Sequence, residues 1–134
     1  MDKLKVKLFN CFNQLEDSFF DDFKERIEKR IIFQKYGLFF STIFGLTTGT
    51  FSLYIHGPYN YTLADLGYEF ANNLDKFSHE KIEFSNVALN IISTLQEQLP
   101  LGNVDLLEIY STYFYLKNKY TDFSEEDLFK KVHE

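Results

Sequence analysis

Apolar residues recur along this chain at two spacings, and the switch between them divides it into helices and one short extended element. Leu4, Leu8, Phe12 and Leu15 fit a helical period, while Leu4, Val6 and Leu8 also alternate as a strand would; helix is the preferred reading. Ser18 is the expected cap of a second helix, with Asp21 and Asp22 in the first turn, where the helix dipole favours anions. Its stripe is Phe20, Phe23, Ile27 and Ile31, extended by Phe39 and Ile43, with a bend expected near Gly37 and an end near Gly45. Residues 50–55 then switch to a period of two, Ser52 standing between Phe51 and Leu53, and Gly57-Pro58 is expected to stop that strand.

Three Ser or Asn positions mark the following helices. Asn60 caps a helix whose Leu63, Leu66 and Phe70 face inward and which ends at Asn72-Asn73. Ser85 caps one carrying Ala88, Ile91, Ile92 and Leu95, closed by Leu99-Pro100, and Asn103 caps one carrying Leu106, Ile109, Tyr110 and Tyr113. Ile82 and Phe84 are the expected second strand, giving a hairpin packed on helices. At the end of the chain Ser124 and Asp127 have capping-box spacing, and Phe123 and Leu128 are placed as a hydrophobic staple. The pattern predicts an α+β fold, mainly α: a compact bundle of five to six helices with one short β-hairpin. With no internal repeat or linker, residues 1–134 read as a single domain.

Composition changes this picture little. At 45% hydrophobic and 25% charged, the chain is ordinary for a globular protein, which excludes wholesale disorder. The lone Cys11 excludes an intramolecular disulfide and fits a reducing compartment; with no basic-then-apolar leader at the start, a cytoplasmic protein is expected. Residues 36–55 are uncharged over roughly the 20 residues of a membrane span, but their Gly, Ser and Thr content argues for no membrane segment. The net charge of −6 opposes approach to nucleic-acid phosphate except through a local basic patch.

Chemistry-bearing motifs are missing. His56, His79, His133 and Cys11 have no metal-ligand spacing, so no metal is expected. Gly45-Leu46-Thr47-Thr48-Gly49 lacks the Lys-Ser/Thr of a phosphate cradle and reads as a turn, and there is no nucleophile elbow. Asp21-Asp22 and Glu125-Glu126-Asp127 sit at helix starts, where capping accounts for them. Neither Arg26 nor Arg30 has the nearby downstream His of HEPN ribonucleases. The expectation is therefore a non-enzyme, with no catalytic residue and no cofactor.

Two constellations stand out. Lys24, Arg26, Lys29, Arg30 and Lys35, set against only Glu25 and Glu28, form a local basic stretch; it reads either as a solvated helix face with local ion pairs or as a contact for nucleic acid or an acidic protein partner. Tyr54-Ile55-His56-Gly57-Pro58-Tyr59-Asn60 runs from a strand through a rigid turn into a helix start. This is either scaffolding or a partner-binding site, where Tyr54, His56 and Tyr59 gather polar tips around the helix start at Asn60, ready for an anion or an acidic side chain.

Arg30-Ile31-Ile32-Phe33-Gln34-Lys35, then Tyr54 to Asn60 followed by Leu63 and Asp65-Leu66, resembles the YwgA-like proteins and the related Panacea (SocA antitoxin-like) domains. Leu107 to Leu116 is similar to a later helix of that family, and the closing acidic-to-basic stretch 125–133 completes a resemblance covering about residues 23–133. The resemblance implies a compact helical domain with a small β-element, acting as an antitoxin-like or regulatory protein-binding module in phage, plasmid or defence contexts. A protein partner is thus expected, and a homodimer is left open. The rival expectation is a DNA-binding transcriptional regulator using residues 24–35.

Overall fold

The computed structural model describes residues 2–46 and 49–120, together with Ser124 and Glu126. Within these, helices α1 (Lys3–Leu15) and α2 (Ile27–Ile43) precede strands β1 (Ser52–Tyr54) and β2 (Gly57–Tyr59). Helices α3 (Tyr61–Asn72), α4 (Leu74–Ser78), α5 (Asn86–Gln98) and α6 (Val104–Lys119) follow. The fold is mainly α with one antiparallel hairpin, as the periodicity predicts. The staple and capping box at 123–128 and the closing stretch 125–133 lie outside the described residues, apart from Ser124 and Glu126.

The first segment is a helix, capped by Asp2, whose Oδ1 accepts from Leu4 N at 2.8 Å. Ser18, however, does not begin the second. Its φ is +58°, far from the extended backbone of an N-cap, and the chain advances through single turns such as Asp21 N to Ser18 O at 3.1 Å. The neighbours Phe19 and Phe20 are both fully buried. A regular helix would turn one of them roughly 100° from the other, whereas irregular backbone lets both point inward. Helix α2 therefore starts at Ile27.

Helix α2 is the centre of the domain, packing against α1, α3, α6 and β2. Every residue from Ile32 to Phe40 is buried, the signature of a helix covered on all sides. It runs through Gly37 as one helix. A Cβ there would lie 2.3 Å from Leu63 Cδ2, so this glycine admits α3 at close range where a bend was expected. The end falls as predicted, with Gly45 at φ +67°.

The phenylalanines are mostly core. Rings of Phe9, Phe12, Phe20, Phe33, Phe70 and Phe77 form a continuous network, with Phe12–Phe33 centroids at 4.6 Å and Phe70–Phe77 at 4.9 Å. These rings come from α1, the 16–25 turns, α2, α3 and α4, so one cluster ties most of the chain together. Cys11 is buried in it and its thiol is pushed up to about 12, chiefly by burial. The unforeseen α4 contributes Phe77.

The hairpin differs from expectation in its second strand. Ile82 and Phe84 are not in a strand; β1 pairs instead with Gly57–Tyr59, in the register Ser52↔Tyr59, Leu53↔Pro58 and Tyr54↔Gly57. The reversal occurs at Ile55-His56, neither with a positive φ, and Gly57 takes φ +93° to complete it. What looked like a stop signal is the start of the partner strand.

Candidate functional site

Helix α2 holds the hairpin from below through buried polar side chains. Lys35 Nζ donates to the carbonyl of Pro58 at 2.8 Å. Gln34 Nε2 donates to Asn60 O at 3.0 Å, while Asn60 N donates to Gln34 Oε1 at 2.9 Å. Asn60 Oδ1 then accepts from Leu63 N at 3.0 Å, so the start of α3 is capped by its own chain. From the other side His56 Nδ1 lies 3.0 Å from Glu108 Oε1 on α6. The hairpin is thus pinned to α2 and α6, and its turn projects outward.

The four turn residues divide accordingly. Tyr54 and His56 are exposed, Tyr59 is half-buried, and Asn60 is only 1% exposed and serves as a cap. Tyr54, Tyr59 and Tyr61 form an edge-to-face trio with centroids 5.2–5.7 Å apart. The Tyr54 hydroxyl is held above its ordinary pKa, first by its hydrogen bond with Tyr61. Ile55 stands at the tip with 94% of its surface exposed, and Leu53 and Tyr61 are exposed at 45% and 65%.

The basic stretch does not form one face. Lys29 is buried: its Nζ pairs with Glu16, lies 3.4 Å from Asp22 Oδ1, donates to Phe19 O at 3.1 Å and sits over the Phe19 ring. Burial lowers its pKa. Lys35 is buried as well, and burial pulls its ammonium down to about 8, opposed by Glu108. Lys24 and Arg26 remain outside, on Asn72 and on Asp22 and Glu28 respectively. Arg30 is half-buried, its Nη1 held by the carbonyls of Phe23 at 3.3 Å and Lys24 at 2.9 Å.

Parts of the two constellations meet. A cleft of about 230 Å³ opens between α2, the hairpin turn and α3. Arg30, Gln34, Lys35, His56 and Tyr59 supply its polar lining; Phe23, Ile31, Phe33, Ala64 and Tyr68 are among its apolar walls. Burial raises the pKa of the Tyr59 hydroxyl, as do Tyr61, Tyr68 and Asp65, while Arg30 lowers it.

No family model, curated protein or solved structure matches this chain. Among the described residues no helix is long and apolar enough to cross a membrane, and no group of three or more His, Cys, Asp or Glu is placed to hold a metal. The segments carrying the family resemblance lie on one another: 30–35 on α2, 54–60 on the hairpin, and 107–116 on α6, joined by the Lys35–Pro58, Gln34–Asn60 and His56–Glu108 contacts.

Glu108, Ile55, Tyr61 and Tyr68 had not been singled out as site residues. Glu108 meets His56 across 52 positions of sequence, a separation no local spacing reveals. Ile55 was legible as a strand residue, and only the early turn turns it outward.

Proposed function

We propose that this chain is a non-enzymatic, antitoxin-like or regulatory module that binds a protein partner through its hairpin tip. The observation that carries the proposal is Ile55, 94% exposed at the end of a turn fastened to two helices. Burying an Ile side chain contributes about 1.5–3 kcal/mol, so an apolar tip on a rigid support favours occupation by a partner. The neighbouring Tyr54 is also exposed and packs against Tyr61, and tyrosine is enriched where interfaces concentrate their binding energy. The adjacency of the segments that resemble the Panacea family supports the same reading.

DNA binding through Lys24, Arg26, Lys29, Arg30 and Lys35 is the weaker reading. Lys29 and Lys35 are spent inside the fold, and the ionic field of an acidic chain is unfavourable to phosphate.

The test begins with a tagged chain isolated from its native cell, its partner identified by mass spectrometry and the complex rebuilt from purified components. Ile55→Asp should weaken the rebuilt complex at least about tenfold, the effect of losing one buried apolar anchor. Its far-ultraviolet circular dichroism should be unchanged. A partner that is toxic when expressed alone and harmless beside this chain marks the antitoxin case. Equal affinity of Ile55→Asp and wild type would refute the tip as the interface.

A further inference from the structure

The cleft beside the hairpin is separate from the exposed tip, because Ile55 does not line it. Its ionisable lining is unusual in a chain of net charge −6: Arg30, Lys35 and His56 contribute cationic or basic groups, and among the described residues no carboxylate lines it. Asp65 and Glu108 are the nearby acids that act on the lining, Asp65 on Tyr59 and Glu108 on His56 and Lys35, but both stand outside the cleft.

Arg30 is held ready. Its Nη1 is fixed by two backbone carbonyls, and among the described residues Nε and Nη2 meet no protein acceptor. A guanidinium has five N–H donors in a planar fork, so the remaining ones suit a carboxylate, which such a fork binds with two parallel hydrogen bonds. Lys35, which gives one hydrogen bond to Pro58 O, adds a second cationic group to the lining.

The walls set the rest of the ligand. Phe23 and Phe33 are almost fully buried and form an apolar base, and Phe23 meets Tyr68 edge to face at 5.5 Å. A volume of about 230 Å³ lies below the roughly 300–1,000 Å³ typical of sites for drug-sized ligands, leaving room for one ring or one branched side chain.

We propose that this cleft binds a carboxylate carried on a single aromatic ring or branched alkyl group, with Arg30 engaging the carboxylate and Phe23, Phe33 and Tyr68 enclosing the apolar part. Such a group occurs in a free small acid and in the C-terminal residue of a protein.

Ligand-observed NMR titration of the full chain tests this with phenylacetate, neutral phenylacetamide and cationic phenethylamine. Phenylacetate should bind saturably, the amide at least about tenfold more weakly and the amine not detectably, because a hydrogen bond to a charged group outweighs a neutral one. Arg30→Gln should remove the preference for acid over amide. Ala64→Phe, which fills the cleft without altering a charge, should abolish binding of both while circular dichroism stays unchanged. Ile55→Asp should leave phenylacetate binding intact, so failure of the tip and failure of the cleft are distinguishable. An acetylated peptide ending in Phe, compared with its C-terminal amide, separates the sources. Tighter binding of the free-acid peptide than of phenylacetate assigns the site to a chain terminus, and binding of phenylacetate alone assigns it to a small acid. Absence of saturable phenylacetate binding, equal binding of acid and amide, or an unchanged preference in Arg30→Gln would overturn the proposal.

Discussion

Lys35 makes the stability of this fold depend on pH in a narrow window. Its side chain is 1% exposed, and burial lowers its pKa from 10.5 to about 8, with Glu108 opposing. Because the folded pKa is depressed, the folded state binds fewer protons than the unfolded state between those values, so stability rises with pH there. Between pH 8 and 9 the folded lysine passes from about half to about nine-tenths neutral, while the unfolded one stays protonated; integrating the slope gives about 1 kcal/mol. Cys11 has the opposite sign: its pKa is raised from 9.0 to about 12 in the fold, so the unfolded chain loses protons that the folded chain retains, and between pH 8 and 9 this offsets roughly a third of the Lys35 gain. Lys29, also lowered by burial, adds a contribution of the same sign as Lys35, so the variant Lys35→Met isolates the effect. Urea unfolding at pH 7, 8 and 9 in the presence of reductant should show the wild type gaining about 1 kcal/mol more than Lys35→Met over the last step. Parallel stability curves for the two proteins would show that Lys35 is not desolvated as its surroundings imply.

The remaining predictions concern backbone. Gln34→Leu takes the acceptor from the buried Asn60 N–H and a donor from its carbonyl, to which Ala64 N also donates. The expected cost is about 2 kcal/mol, seen as a lower urea midpoint with unchanged slope; a loss below about 0.5 kcal/mol would mean the pair contributes nothing net. Gly57→Val places a Cβ at φ +93°, 2.9 Å from Thr112 Oγ1. It should destabilise by about 1–3 kcal/mol in the same assay, and a neutral result would remove Gly57 as the residue that closes the turn.

The fold was legible where a single residue acts on its own neighbourhood. Asn60, Ser85 and Asn103 were readable as caps because Asn or Ser followed by an apolar helical stripe has one efficient use, and each accepts from the N–H three residues on. The same logic misled at Ser18, where the Asp pair and the Phe spacing imitate a helix start but the burial of both Phe19 and Phe20 decides the backbone. Gly57-Pro58 also reads two ways. A positive-φ glycine ends one strand or opens the next, and which it does depends on Lys35 meeting the Pro58 carbonyl.

The site was half legible, for a reason that lies in α2. Lys29 occupies the stripe it shares with Phe33, Tyr36 and Phe40, all buried, and Lys35 stands in a run that is buried from Ile32 to Phe40. Counting charges along residues 24–35 treats every cation as solvated, which holds for a surface helix and fails for a central one. Once α2 is central, a buried lysine must find oxygen, and the acceptors within reach are the Phe19 carbonyl with Glu16 for Lys29 and the Pro58 carbonyl for Lys35. That second contact draws the hairpin onto α2 and carries His56 and Tyr59 to the cleft that Arg30 also lines. The two constellations that look independent in the sequence are therefore linked by the satisfaction of one buried charge. The residues that face the cleft follow from where that charge can be satisfied.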